Sequence, residues 1–201
     1  IAETGKPVFL STGMCEIEDI KIAVNIFSKN DLSLLHCVSS YPTPEEDCNL
    51  KAINLLKSFN LPVGYSGHEI GFYPTLLAVA TGAKIIERHY TIDKNMKGFD
   101  HKISLEPNDL FLMVKEIRKI EQILGNGKKI ISSTEKITKN KYNVSAVSKE
   151  DIKINTILNE NMLTFKNPGT GILFKNINKI IGKKANQDIK KDTLLSEEMF
   201  S

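Results

Sequence analysis

Short apolar runs alternate with longer amphipathic stretches through the first 124 residues, and each run ends abruptly in polar residues. Val8-Phe9-Leu10 closes on Ser11-Thr12-Gly13, and the run at 33–38 closes on Ser39-Ser40-Tyr41. Val63-Gly64-Tyr65 closes on Ser66-Gly67-His68, and Ile85-Ile86 closes on Glu87-Arg88-His89. Runs this short, bounded by turn residues, predict buried strands. Ile17, Ile20, Val24 and Phe27 recur at helical spacing and predict a helix over 16–28. Similar spacing predicts helices over 48–59, 72–82 and 107–124, with Gly82 placed as a C-terminal cap. The opening residues, which run into Gly5-Lys6-Pro7, read as the last turn of a helix meeting a glycine stop. With neither an initiator Met nor a signal-peptide pattern, the chain reads as beginning inside a longer protein.

A strand followed by a helix every 25 residues or so is the rhythm of a (β/α)8 barrel or of an open doubly wound sheet. Four such units span about half of the ~250 residues of a full barrel. An open four-stranded sheet would be complete, but its first strand would normally end in a glycine-rich phosphate loop, and Ser11-Thr12-Gly13-Met14 is not one. In either fold consecutive strands lie parallel, so their C-terminal ends share one edge.

After residue 124 the texture changes. Residues 125–141 are polar and lysine-rich and read as a linker between domains, 1–124 and 142–201. The second of these predicts short strands over 144–147, 162–165 and 185–187 and a turn at Pro168-Gly169-Thr170-Gly171. So small a domain is near the lower limit for independent stability and is expected to dock on something.

Composition narrows the function. With 41% hydrophobic residues in a 201-residue chain and no apolar run near membrane-spanning length, a soluble protein with a packed core is expected, not a membrane protein. The net charge of +3 is too mild and dispersed for a nucleic-acid binder. Cys15, Cys37 and Cys48 form an odd set without zinc-site spacing, which points to a reducing compartment and hence to the cytoplasm.

The strand tips carry the candidate chemistry. His68 and His89 close two consecutive strands, and paired imidazoles there suit a divalent metal. A single histidine in such a place is more often structural; two at equivalent positions among Ser66, Glu69, Glu87 and Arg88 make a site the competing reading. Ser11, Thr12, Ser39, Ser40, Tyr41 and Ser66 offer hydroxyls to a phosphate or sugar, although any one of them would also serve as a turn or cap. Lys94, Lys97, Asp100 and His101 follow on the last long loop. Glu87 stands either as a proton-moving carboxylate beside the metal or as the partner of a structural salt bridge to Arg88 or a lysine.

Taken together, LSTGM (10–14), LLHCVSSYPTPEEDCNL (34–50), GYSGHE (64–69), ERHYTIDK with KGFDHKISLEP (87–107) and the tail FKNPGTG with IGKKA resemble the sialic acid synthase (N-acetylneuraminate synthase) family. The likeness covers nearly all of the chain apart from the linker. It implies an α/β fold: the C-terminal half of a (β/α)8 TIM barrel, strands five to eight, followed by a small SAF (antifreeze-like, β-clip) domain. It also implies condensation of phosphoenolpyruvate with N-acetylmannosamine, or its 6-phosphate, to N-acetylneuraminate, or its 9-phosphate, and phosphate. On the matching positions it implies His68 and His89 as ligands of Mn2+ or Mg2+, Ser11, Ser39 and Ser66 near phosphoenolpyruvate, Tyr41 and Asp100 on the sugar, and a domain-swapped homodimer. Ser39 stands where many bacterial members have asparagine, Gly67 where many have aspartate, and Asn167 in place of an arginine that reaches a neighbouring subunit's sugar site. Those departures leave related nonulosonic acids, legionaminic or pseudaminic, as alternative products. A non-catalytic carbohydrate-binding or assembly module is the rival from another class, because lysine and acidic groups expected on the first four barrel strands are not in this chain.

Overall fold

The computed structural model describes residues 1–201, which divide into two units, Ile1–Gly127 and Lys128–Ser201, each with its own hydrophobic core.

In the first unit four strands alternate with four helices: β1 (Val8–Ser11), α1 (Ile17–Ile26), β2 (Leu32–Cys37), α2 (Ala52–Leu56), β3 (Val63–Gly67), α3 (Tyr73–Thr81), β4 (Ile86–Arg88) and α4 (Pro107–Leu124). The strands pair in chain order and all run parallel, as a half-barrel sheet does. Because side chains alternate across a strand, each strand sends one set to the helices and the other to the opposite face. Leu34, Val63 and Tyr65 pack with Ile20 of α1, Ile53 and Leu56 of α2 and Ala78 of α3 to make the helix-side core. Cys37, Ser66 and Glu87 occupy adjacent strands in one row of the register, so their alternation sets them on the other face.

Local sequence explains the helix limits. Glu16 and Asp19 form a reciprocal capping box on α1, and Glu106 and Asp109 do the same on α4, where Pro107 takes the first helical position. Gly82 ends α3 at φ 109°, a left-handed conformation that a residue with a Cβ rarely adopts. The helix expected over 48–59 is shorter: Asn49 turns the backbone to positive φ, and α2 begins only at Ala52 before tightening into a 3-10 turn, Lys57–Phe59. Residues Ala2–Thr4 form a 3-10 turn closed by a left-handed Gly5, the glycine stop expected there.

The second unit opens with a helix inside the stretch expected to be linker. Helix α5 (Ser133–Tyr142) starts on a capping box in which the Ser132 hydroxyl accepts from the Glu135 backbone while the Glu135 carboxylate accepts from that of Ser132. Its far end is held by Asn167, whose Nδ2 donates to the carbonyls of Tyr142 at 2.8 Å and Asn143 at 3.1 Å. Lysine-rich composition alone suggested solvated coil; caps at both ends and lysines toward the C-terminal turn are what make it a helix. Strands β5 (Ser145–Ser148) and β6 (Leu163–Lys166) then pair antiparallel over a core that includes Leu158, Ile180 and Leu195. The third expected strand, over 185–187, is reduced to isolated bridges such as Ala185 to Phe200. No helix of the chain is long and apolar enough to cross a membrane.

Two separate cores predict separable responses. Ile180→Ala, at a fully buried position, is expected to cost about 2–5 kcal/mol within the second unit. Hydrogen exchange should show protection lost in Lys128–Ser201 and retained in β2 and β3; loss in both would contradict independent cores.

Candidate active site

Parallel pairing of β3 with β4 aligns Ser66 with Glu87 and Gly67 with Arg88, so the next residues, His68 and His89, emerge side by side. Their ring centroids are 5.2 Å apart. Nδ1 of His68 donates to the Val38 carbonyl at 3.0 Å, which leaves Nε2 as the nitrogen with a free lone pair. A histidine ligand oriented by a backbone carbonyl through its other nitrogen is the usual arrangement at metal sites. Nδ1 of His89 faces Oδ2 of Asp100 at 3.7 Å. The residues thus suit a divalent cation as two of its ligands. The chain brings together no group of three or more His, Cys, Asp and Glu side chains arranged to hold a metal, so the remaining coordination would fall to water, to a bound oxygen ligand or to groups outside this chain.

Glu87 lies next to the pair. Its Oε1 accepts a hydrogen bond from Ser66 Oγ at 2.6 Å and a longer one from Ser11 Oγ at 3.5 Å. Hydroxyls from β1 and β3 therefore converge on one carboxylate of β4. The salt-bridge reading of Glu87 is replaced: Arg88 points the other way and pairs with Glu69. Cys37 fills the same row beside Ser66, where burial pushes its thiol up from the ordinary range, against the pull of hydrogen bonds with Ser66 and Ser39. It stays a neutral thiol at neutral pH. Its sulfur is 3.9 Å from Nδ1 of His68.

Tyr41 closes the rim. Its ring lies 4.1 Å from that of His68 and meets that of His89 edge-on at 6.1 Å. Partial burial, followed by the nearby Cys37, Asp100 and Glu87, pushes its phenol up, so it is a neutral, half-exposed aromatic wall. All eight candidates thus fall at the C-terminal ends of the four strands or on the loops that follow, with Ser39 at the hydrogen-bonding edge of Cys37. The last-loop cations do not all join them. Lys94 forms an ion pair with Asp109 at the start of α4, and its backbone N–H donates to Glu106; His101 instead bonds the Thr91 hydroxyl at 2.8 Å.

Two supports escaped the sequence. The Val38 carbonyl that orients His68 is backbone and leaves no residue signature. The Glu69–Arg88 pair was present in the pattern only as polar neighbours of the two histidines; nothing local shows that they turn away from the rim and meet.

The chain is 43% identical over 203 residues to N,N'-diacetyllegionaminic acid synthase of Campylobacter jejuni, covering 98% of this chain and 61% of that protein. It is 38% identical to pseudaminic acid synthase of Campylobacter jejuni, covering 100% and 59%. It is 36% identical to human N-acetylneuraminate-9-phosphate synthase, covering 98% and 56%. The chain therefore spans about three fifths of the length of the curated relatives it matches. Among solved structures it is similar to N-acetylneuraminic acid synthetase from Leptospira borgpetersenii in complex with citrate, with a TM-score of 0.65 and 47% identity over 68% of this chain and 49% of that one. A structure from Chromobacterium violaceum named for spore coat polysaccharide biosynthesis gives a TM-score of 0.86 at 25% identity, covering 100% of this chain and 62% of that one. Residues 1–129 match the NeuB family and residues 143–201 match the SAF domain, and the chain belongs to the NeuB family.

Proposed function

We propose that this chain supplies the second half of the catalytic face of a nonulosonic acid synthase. The reaction would join phosphoenolpyruvate to N-acetylmannosamine, its 6-phosphate or a related diacetamido sugar. The observation that carries the reading is the pair of imidazoles 5.2 Å apart on adjacent parallel strand ends, with Glu87 level with Ser66 on the neighbouring strand. Relatives named as legionaminic, pseudaminic and N-acetylneuraminate 9-phosphate synthases support the reaction class without selecting the sugar.

His68 and His89 would hold the cation through Nε2; two imidazoles among oxygen ligands favour Mn2+ over Mg2+, which prefers oxygen throughout. When bound, it supplies Lewis-acid polarisation of the sugar's aldehyde oxygen. In the reaction the enol C3 of phosphoenolpyruvate forms a carbon–carbon bond to that aldehyde carbon, water adds at C2, and phosphate leaves with C–O cleavage. Ser39 would donate to the carboxylate or phosphate oxygens of phosphoenolpyruvate, and Ser11 and Ser66 would do so on turning their hydroxyls from Glu87 to the ligand. Tyr41 would lie against the sugar and Asp100 would accept from its hydroxyls. Glu87 would take a proton from the attacking water. The second unit would lid a partner's site in a domain-swapped homodimer and exclude bulk water, leaving the one water that adds at C2.

Two measurements test this, on the chain and on the longest reading frame that contains it. Mass spectrometry of the product from phosphoenolpyruvate and each candidate sugar should give a nine-carbon 2-keto acid with one of them; no condensation with any sugar would refute the reading. His68→Ala is expected to abolish metal-dependent phosphate release, and Glu87→Gln to lower kcat by about 10²–10⁴-fold with little change in metal affinity. Full activity in the first variant would reject the ligand assignment.

A further inference from the structure

Each of the two rim histidines is joined in sequence to one member of a buried ion pair. Glu69 follows His68, Arg88 precedes His89, and their side chains, 1% and 3% exposed, meet at 2.7 Å between Oε1 and Nη1. Arg88 does more than pair charges: its Nη2 donates to the carbonyls of Glu69 at 2.9 Å and Gly71 at 2.8 Å, so it holds the backbone that leaves His68. The Glu69 carboxylate is held in turn by the Tyr65 hydroxyl at 2.9 Å and the Thr75 hydroxyl at 2.8 Å. The carbonyl of His68 accepts from Thr43, and that of His89 accepts from Leu105. The register of β3 with β4 ends at Gly67 and Arg88, so past that point the ion pair is the direct tie between the two histidine segments.

Stability alone is a weak reason for such a pair, because well-packed apolar residues of similar volume usually serve a core as well or better. What it adds is a fixed offset between two loops. We propose that Glu69 and Arg88 are positioning residues for the rim, setting the separation of the His68 and His89 imidazoles and thereby the bite with which they take a cation.

A second observation ties this device to the strand itself. A Cβ on Gly67 would lie 2.5 Å from Oε2 of Glu69 and 2.7 Å from Cε1 of Tyr65. The carboxylate therefore occupies the space that a side chain at position 67 would take. With Glu69 cut back, a carboxylate at position 67 would take up that space beside Arg88, the Tyr65 ring shifting to admit its Cβ.

The inference rests on the metal-holding reading for its consequence but not for its geometry, and the experiment separates the two. In wild-type chain, nuclear Overhauser cross-peaks between the ring protons of His68 and His89 are expected. Glu69→Gln and Arg88→Met should lose them while circular dichroism shows the fold retained; Arg88→Lys, which keeps charge but not the fork onto two carbonyls, should weaken them. Gly67→Asp combined with Glu69→Ala should restore them relative to Glu69→Ala alone, which also guards against variants that merely unfold. Cross-peaks unchanged in folded Glu69→Gln and Arg88→Met would overturn the positioning role. Titration with Mn2+, followed by the resonance of the free ion, is expected to show affinity lowered about 10–100-fold in both variants. Wild type that binds no Mn2+ would sink the metal reading and leave the ring-proton result to judge the clamp by itself.

Discussion

Parallel pairing of the third and fourth strands is the constraint on which the site depends. Strand side chains alternate strictly, so one choice of register sends Tyr65, Ile86 and Arg88 toward the helices and Ser66 and Glu87 to the opposite face. A slip of one residue would bury Glu87 among Ala78 and Ala83 and turn Arg88 to the rim. Burial of Val63 and Tyr65 against α2 and α3 therefore does indirect work for the chemistry: it penalises the one-residue slips that would turn the rim residues into the core.

The chemistry at the rim follows from what that register collects. A neutral thiol, three serine hydroxyls and one carboxylate make a group of hydrogen-bonding side chains with little net charge of its own, and two imidazoles stand at its end. Of the positive charge that an anionic ligand would require, Lys94 on the last loop supplies none, since it is spent on the first turn of α4. A cation on the histidines would meet that need, which is a physical reason to take them as ligands beyond their likeness to a family pattern.

Much of the fold was legible because its signals are local. The four strands and the helices α1, α3 and α4 came from periodicity and from caps written in neighbouring residues, such as Gly82 and Pro107. Expectations missed where a single backbone angle or a distant partner decides. Positive φ at Asn49 shortened α2; α5 begins on a capping box, Ser132 with Glu135, that lysine-rich composition overshadowed, and its far end is held by Asn167, 25 positions beyond Tyr142. At the site, residue types and strand ends pointed to the histidines, the serines, Tyr41 and Glu87. The salt bridge weighed for Glu87, to Arg88 or a lysine, gave way because alternation along β4 sets Glu87 and Arg88 on opposite faces, and Arg88 meets Glu69 instead.

The filled space beside Gly67 has an evolutionary side. Any lineage drifting at that position meets a carboxylate already seated two residues downstream and the ring of Tyr65, so a first step at 67 is blocked while a first step at 69 removes one of the two obstacles. The two sites are expected to change in that order or together, and a survey of natural variants should find few chains carrying bulk at both.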